Sequence, residues 1–314
     1  MGVTTMSDVQ SSARRVARDL SGILLIDKPV GMSSNGALQR VKRMLGARKA
    51  GHTGNLDVLA SGLLPICFGE ATKVCAFLLD SDKTYSADIN LGEVTTTADS
   101  EGEIIRRVTD FEVSIEQARS AAANFIGEIE QIPPMYSALK RNGQRLYKLA
   151  RKGIEIERQP RPVTIRELDV TELNDRVLSI HVKCSKGTYI RTLAEDIGQL
   201  LGCGAHIGAL RRLEAGPYSI VDAWTLDQIE EVLSDHGTCE GLDARLLAPD
   251  SALQHLSDLH LTDDMALRVT RGQAVEVGGI ACVGEVRLYG PTREFIGIGT
   301  VLDDGRIAPR RLMR

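Results

Sequence analysis

One carboxylate stands alone in a basic, glycine-rich stretch of this chain. Asp57 lies in Gly51-His52-Thr53-Gly54-Asn55-Leu56-Asp57-Val58-Leu59-Ala60-Ser61-Gly62, and no other acid occurs between Asp27 and Glu70. Glycines let backbone or substrate approach closely. A lone acid among bases and apolar neighbours can be held ionised and aimed as a nucleophile or general base. The same spacing suits an Asp capping a short turn over Val58 to Ser61, and nothing local decides between the two. A second segment, Lys186-Gly187-Thr188-Tyr189-Ile190-Arg191-Thr192-Leu193-Ala194-Glu195, sets Tyr189 and Arg191 at a strand-to-helix junction. An arginine there can pair with a distant carboxylate such as Asp57, or sit exposed on a capped core helix. Tyr85, in Asp82-Lys83-Thr84-Tyr85, reads as a strand aromatic, and His52 as a ligand, a stacking group or a turn residue. No glycine loop ends in Lys-Ser/Thr, no Gly-x-Gly-x-x-Gly follows a strand and no His-Glu-x-x-His occurs, so ATP, dinucleotide and zinc-protease chemistry have no support.

The elements around these residues follow from apolar spacing. Gly22 to Asp27 reads as a strand, Lys28 to Met32 as a turn, and Ser33 or Ser34 as the cap of a helix with Ala37, Leu38, Val41, Met44 and Leu45 on one face. Leu63 to Phe68 reads as a buried strand, Glu70 to Leu79 as a helix, and Lys83 to Leu91 as an alternating strand ending at Gly92. Thr95 to Gly102 is a polar loop, and Ser114-x-x-Gln117 opens a helix with capping-box spacing. Prolines at 133, 134, 160 and 162 bracket a mostly basic stretch, which suggests an insertion over about 131–162. Val163 to Cys184 reads as two strands, Tyr189 to Leu200 as a helix and Ala205 to Leu213 as a strand. This irregular mixture favours an α+β fold with a mixed, largely antiparallel sheet. After Pro249-Asp250, short Val/Ile-rich runs between glycines (Ala274 to Val277, Gly284 to Leu288, Phe295 to Val301) predict a small β-rich module.

At 314 residues, 43% hydrophobic and 25% charged, the chain has the size for two domains and the composition of an ordinary globular protein. Its longest apolar run, Val74 to Leu79, is six residues and too short to span a bilayer. The first 20 residues read as a short mobile leader on a cytosolic protein, because the apolar stretch after their arginines is too short for a signal peptide. Six cysteines without a Cys-x-x-Cys pair read as free thiols, and no metal site is expected. The net charge of −4 hides a segregation. From Lys28 to Gly69 there are six bases and one acid, from Gln131 to Arg166 nine bases and two acids, and from Pro217 to Asp250 eight acids and one base. Two such basic tracts would attract a phosphate backbone, although a solvated face gives the same pattern.

Together, Gly22-Ile-Leu-Leu-Ile-Asp-Lys-Pro-Val-Gly-Met-Ser-Ser-Asn35, the Gly51 to Gly62 loop, Gln131-Ile-Pro-Pro-Met-Tyr-Ser-Ala-Leu-Lys140 and Cys184-Ser-Lys-Gly-Thr-Tyr-Ile-Arg191 closely resemble the bacterial TruB family of tRNA pseudouridine-55 synthases. The resemblance runs in order from about residue 20 to the C-terminus, where Asp304-Gly-Arg-Ile-Ala-Pro-Arg-Arg-Leu312 looks like the end of that family's PUA module. It implies a catalytic domain over 21–249 with a thumb at about 131–162, a PUA-like RNA-binding domain over 250–314, and a monomer. It implies a cofactor-free reaction in which a T-loop uridine of tRNA leaves its ribose, turns and rejoins through C5. Asp57 matches the family's nucleophile, Tyr85 the tyrosine stacked on the target base, and Arg191 the arginine paired with the carboxylate. Tyr189 and Leu210 match pocket residues, Lys28 a supporting lysine on the substrate side, and His52 the histidine that meets the RNA where the base has left. The thumb and C-terminal module would grip the T-stem and T-loop and approach the acceptor stem.

Two positions depart from the family pattern: Val58 stands where a proline is usual, and Asn55 where a Thr or Ala is usual. A valine there is expected to hold the loop by packing alone. The other readings are a non-catalytic RNA-binding or RNA-folding protein using the same surfaces, and a nucleoside hydrolase with an Asp nucleophile. The first has no need for the lone acid and its partner, and the second has no need for the basic insertion.

Overall fold

The computed structural model describes residues 17–141, 143–236, 240–278 and 283–313. The expected leader lies outside the described residues up to residue 16, and so do Cys239 and Cys282. Residues 17–20, assigned to that leader, are instead tied down. Arg18 bridges to Ala47, pairs with Asp243, and is followed by the buried Leu20.

The chain opens with β1 (Gly22–Lys28), α1 (Ser34–Met44), β2 (Ala50–His52) and β3 (Ser61–Phe68). Ser33 is the cap of α1, accepting from the Gly36 N–H at 3.1 Å, which leaves Ser34 for another task. The helix expected over 70–79 is broken into a 3-10 turn, Gly69–Lys73, and α2 (Cys75–Asp80). The Thr72 hydroxyl bonds back to the Gly69 carbonyl at 2.7 Å and Val74 bonds only three residues back, so the first turn tightens. Then come β4 (Lys83–Leu91), a hairpin of β5 (Glu93–Thr95) and β6 (Ile104–Arg107), α3 (Ile115–Ala123) with its reciprocal Ser114–Gln117 box, and β7 (Gly127–Gln131). The basic insertion follows as β8 (Lys140–Arg141), β9 (Gln144–Arg145) and α4 (Leu146–Ala150). It returns through β10 (Arg161–Asn174), whose Arg161 pairs with Gln131, so the insertion leaves and re-enters the sheet at one point.

The catalytic half finishes with β11 (Val177–Cys184), α5 (Ile190–Leu200), β12 (Ala205–Ala215), β13 (Tyr218–Ser219), β14 (Trp224–Thr225), α6 (Leu226–His236) and α7 (Glu240–Asp243). The main sheet runs β14-β1-β3-β12-β4-β11-β10-β7, with β13 beside β12 and β2 beside β3. Only the β14/β1 and β12/β3 pairs are parallel, which gives the mixed, largely antiparallel sheet expected. A second sheet joins β15 (Ser257–His260), β16 (Val275–Glu276), β17 (Glu285–Tyr289), β18 (Phe295–Val301) and β19 (Arg306–Leu312), with a helix, α8 (Asp263–Thr270), capped by Thr262. The sequence reading placed β16, β17 and β18 of this module and missed β15, β19 and the helix, although Thr262-Asp263-Asp264 is a fair start signal.

β1 is apolar on both faces because both are covered. Leu24 and Ile26 join the core under α1 and α5, whereas Ile23 and Leu25 pack with Leu63, Cys67, Ala252, Leu253 and Ile298. The C-terminal module is therefore seated on the back of the sheet. The acidic 217–250 segment turns Leu226, Ile229 and Leu242 into the core over β1 and pairs Glu230 with Arg40 of α1.

Candidate active site

The loop carrying Asp57 is pinned on both sides. The Ser34 hydroxyl accepts from the Leu56 N–H at 2.7 Å and donates to the Leu56 carbonyl at 3.1 Å, while the Gly31 N–H donates to the Val58 carbonyl at 2.8 Å. Hydrogen bonds thus hold the loop on either side of Asp57, and the expectation that Val58 would hold it by packing alone is corrected. Val58 itself is exposed. Behind the loop, Gly62 adopts φ +105°, and a Cβ there would lie 2.3 Å from the Arg212 carbonyl. Only glycine lets β3 approach β12 this closely.

Strand register assembles the opposite wall. Tyr85 of β4 lies across from Arg212 of β12, and Ala87 across from Leu210, so the period of two puts Lys83, Tyr85, Leu210 and Arg212 on one face. Together with Asp57, Tyr189 and Arg191 they line a pocket of about 440 Å³. A wider groove of about 730 Å³ adjoins it, lined by His52, Asn35, Val58 and Asp99 on one side and by Arg145, Tyr147 and Arg151 of the basic insertion on the other. Asp57, Asn55 and Arg191 line both, so the carboxylate stands where pocket and groove meet.

Arg191 is 4% exposed and its donors are fully directed. Its Nε lies 2.9 Å from an Asp57 oxygen, Nη1 donates to the Thr97 carbonyl at 3.0 Å and lies 3.6 Å from Asp99, and Nη2 donates to the Tyr136 carbonyl at 2.8 Å. One guanidinium thus ties the Asp57 loop to the 95–102 loop and to the insertion. Buried Asp99 also accepts from the Thr97 hydroxyl at 2.5 Å and the Glu101 N–H at 3.1 Å. Burial pushes the Asp57 carboxyl above the ordinary carboxylate range, Arg191 pulls it down without fully offsetting burial, Asp99 adds to the rise and Lys28 opposes it. A nucleophile or base must be unprotonated, so its activity is lost as pH falls through this raised value. The single-turnover rate should therefore show an acid limb with its midpoint above the ~3.9 of a free aspartate; a midpoint at or below that value would contradict the assignment.

Five of the seven residues singled out by sequence share the pocket: Asp57, Tyr85, Tyr189, Arg191 and Leu210. His52 faces the groove instead, on β2, and burial and Arg212 lower the pKa of its ring. Lys28 does not reach the wall. It is fully buried, donates to the carbonyls of Pro29 at 2.8 Å and Met32 at 2.6 Å, and is pulled by burial down to about 8, so it ties the turn and acts on the field at Asp57. Three further residues escaped the sequence reading. Asp99 sat in a segment read only as polar loop. Arg212, buried with Nε donating to the Leu63 carbonyl at 2.7 Å, sits beside Tyr85. Lys83 closes the C-terminus of α2 through the carbonyls of Leu78 at 3.0 Å and Leu79 at 2.7 Å. Burial raises the Tyr85 phenol while neighbouring Arg212 opposes the rise. Among the described residues no cluster suited to holding a metal ion occurs, and no helix is long and apolar enough to cross a membrane.

Comparison with known proteins agrees with this architecture. A solved chain described as "Crystal Structure of a Cbf5-Nop10-Gar1 Complex" superposes with a TM-score of 0.69 at 27% identity, covering 90% of this chain and 78% of that one. A chain from "Structure of H/ACA RNP bound to a substrate RNA containing 2'-deoxyuridine" shares the fold with a TM-score of 0.71 at 24% identity, covering 93% and 85%. The "tRNA pseudouridine synthase B" of Pseudomonas aeruginosa (strain UCBPP-PA14) is 51% identical over 304 residues, 97% of this chain and 99% of the relative. That of Stutzerimonas stutzeri (strain A1501) is likewise 51% identical over 304 residues, with the same coverage. Residues 42–190 match the model for "TruB family pseudouridylate synthase (N terminal domain)", 191–254 that for "tRNA pseudouridylate synthase B C-terminal domain", and 257–313 that for "Pseudouridine synthase II TruB, C-terminal". The class these features define is the pseudouridylate synthases, which are isomerases. Within it, the chain belongs to the TruB family.

Proposed function

We propose that this enzyme converts the uridine at position 55, in the T-loop of tRNA, to pseudouridine without a cofactor, with Asp57 as the acting nucleophile. The observation that carries the reading is the place of Asp57, paired with Arg191 where the pocket that holds Tyr85 and Leu210 meets the groove that the insertion lines with Arg145 and Arg151. A flipped-out uracil fits in the pocket against Tyr85, its phosphates lie in the groove, and the ribose comes between them beside the carboxylate. An aromatic platform offsets part of the unstacking cost of a few kcal/mol. The reaction breaks the bond from C1′ to N1, forms one from C1′ to C5, removes the C5 proton and returns one to N1. Substrate and product are isomers, so the atoms balance with no co-reactant. Attack of Asp57 on C1′ and a route through a glycal-like intermediate both satisfy that balance. In this reading Tyr85, which lines the pocket, serves in removing the C5 proton.

The names of the relatives, tRNA pseudouridine synthase B, support tRNA as the substrate. The insertion supports it too, since it presents Arg145 and Arg151 to the groove. In this reading residues 21–249 are the catalytic domain with its thumb, 250–314 a PUA-like module directed toward the acceptor stem, and the enzyme a cytoplasmic monomer. Incubating the protein with an unmodified tRNA transcript and mapping pseudouridine tests the proposal directly. A single new pseudouridine at position 55 is the expected product. Tight binding without modification would favour the RNA-folding alternative. Affinity should also fall at least ~10-fold between about 50 and 200 mM salt, because cations held on the phosphates are released on binding; an affinity flat over that range would remove the basic tracts as the RNA surface.

A further inference from the structure

Gln131 ends β7 and begins the basic insertion, and it is 2% exposed. Its side-chain amide holds both polar groups of a single backbone unit. Oε1 accepts from the Tyr189 N–H at 3.0 Å, and Nε2 donates to the Tyr189 carbonyl at 3.3 Å. Only one orientation of the amide satisfies both contacts. Tyr189 is the N-cap of α5 and its own side chain does not cap the helix, so the helix start is fixed from outside by a residue 58 positions away. Two residues on, Arg191 spans the gap between the Tyr136 carbonyl at 2.8 Å and Asp57 at 2.9 Å. The root of the insertion thus grips the first turn of α5 at two places, and the arginine of the site projects from that turn.

We infer that Gln131 is a positioning residue for the reaction: by clamping the Tyr189 backbone it fixes the turn of α5 from which Arg191 reaches Asp57, holding the RNA-gripping insertion and the acting carboxylate in one register. The inference rests on Asp57 being the acting group and goes beyond it by naming what aims its partner. The clamp does not touch substrate. It acts through Tyr189 and Arg191, and a displacement of about 1 Å at reacting groups is enough to cost ~100-fold in rate. Because the amide is satisfied by backbone alone, the clamp is independent of which side chain stands at 189.

The test compares wild type with Gln131→Ala by two readouts: the single-turnover rate with its RNA Kd, and the titration of the Asp57 carboxyl followed by carbon-13 NMR on the RNA-free protein. The expected result is a rate constant lower by ~10- to 100-fold, a Kd changed by less than about threefold, and an Asp57 titration moved to higher pH because a loosened Arg191 pulls on it less. An Asp57 titration that stays in place overturns the inference, whether or not the rate falls. If Gln131→Ala does not fold, Gln131→Met, close in length and apolar, takes its place in the same comparison. A wild-type protein that forms no pseudouridine would overturn the functional reading, while the titration still decides on the clamp.

Discussion

Asp57→Asn abolishes pseudouridine formation, by on the order of 10⁴-fold or more, and leaves tRNA affinity within a few-fold. The amide keeps the shape of the carboxylate and still accepts a hydrogen bond from Arg191, so the loop pinned by Ser34 and Gly31 keeps its place. What is lost is the negative charge that attacks C1′ or draws off a proton. In the proposed reading RNA binding is spread over the groove and insertion, and removing one carboxylate there does not weaken contacts to phosphate. Single-turnover conversion measured beside a filter-binding Kd separates the two effects. Conversion within tenfold of wild type would remove Asp57 from the mechanism.

Arg191→Ala should fail twice, once in rate and once in stability. The rate is expected to fall ~10³-fold, because Asp57 loses the donor that aims it. In the folded state Asp99, 3% exposed, keeps its Thr97 and Glu101 contacts and loses its cation. Leaving a buried charge without its partner costs about 3–5 kcal/mol, and the carbonyls of Thr97 and Tyr136 lose their donor as well. Arg191→Lys restores the charge but cannot span the same partners, since its three donors radiate from one nitrogen and lack the planar fork whose separate nitrogens reach Asp57, Thr97 and Tyr136; recovery of less than a tenth of the lost rate is expected. Denaturant midpoints and single-turnover rates on the same preparations check both parts. An Arg191→Ala protein as stable as wild type would show that the Arg191–Asp99 contact does not hold the fold.

Much of this site was legible because its residues sit in local patterns with local causes. The alternating strand that carries Tyr85 and the amphipathic α1 that follows Ser33 announce themselves by spacing. Asp57 drew notice as the sole acid of its stretch, although only resemblance to a family separated a nucleophile from a turn cap. Other features are set by partners distant in sequence. Asp99 matters because Arg191 arrives from 92 positions further on, and a run of Thr and Asp gives no sign of it. Arg212 in a strand reads as a surface residue until β3 and β4 bury it between them. The tertiary place of Lys28 is equally hidden: its spacing gives no sign that its ammonium folds back onto the carbonyls of its own turn. The break at Val74 was hidden because a 3-10 turn and a helix share nearly the same apolar spacing over so few residues.

The two-faced burial of β1 bears on how the chain is made. Ile23 and Leu25 leave a ribosome well before Leu253, Ile298 and Met313, side chains of the same cluster that complete their cover. The back of β1 is therefore covered only in part, by Ala71, Val74 and Leu78, until the C-terminal module has emerged. A nascent chain stalled before residue 250 would carry a finished catalytic pocket on one side and a sticky apolar sheet on the other, an obvious substrate for chaperones. Synthesis and quality control are thus joined: the C-terminal module completes the seal on a strand made long before it.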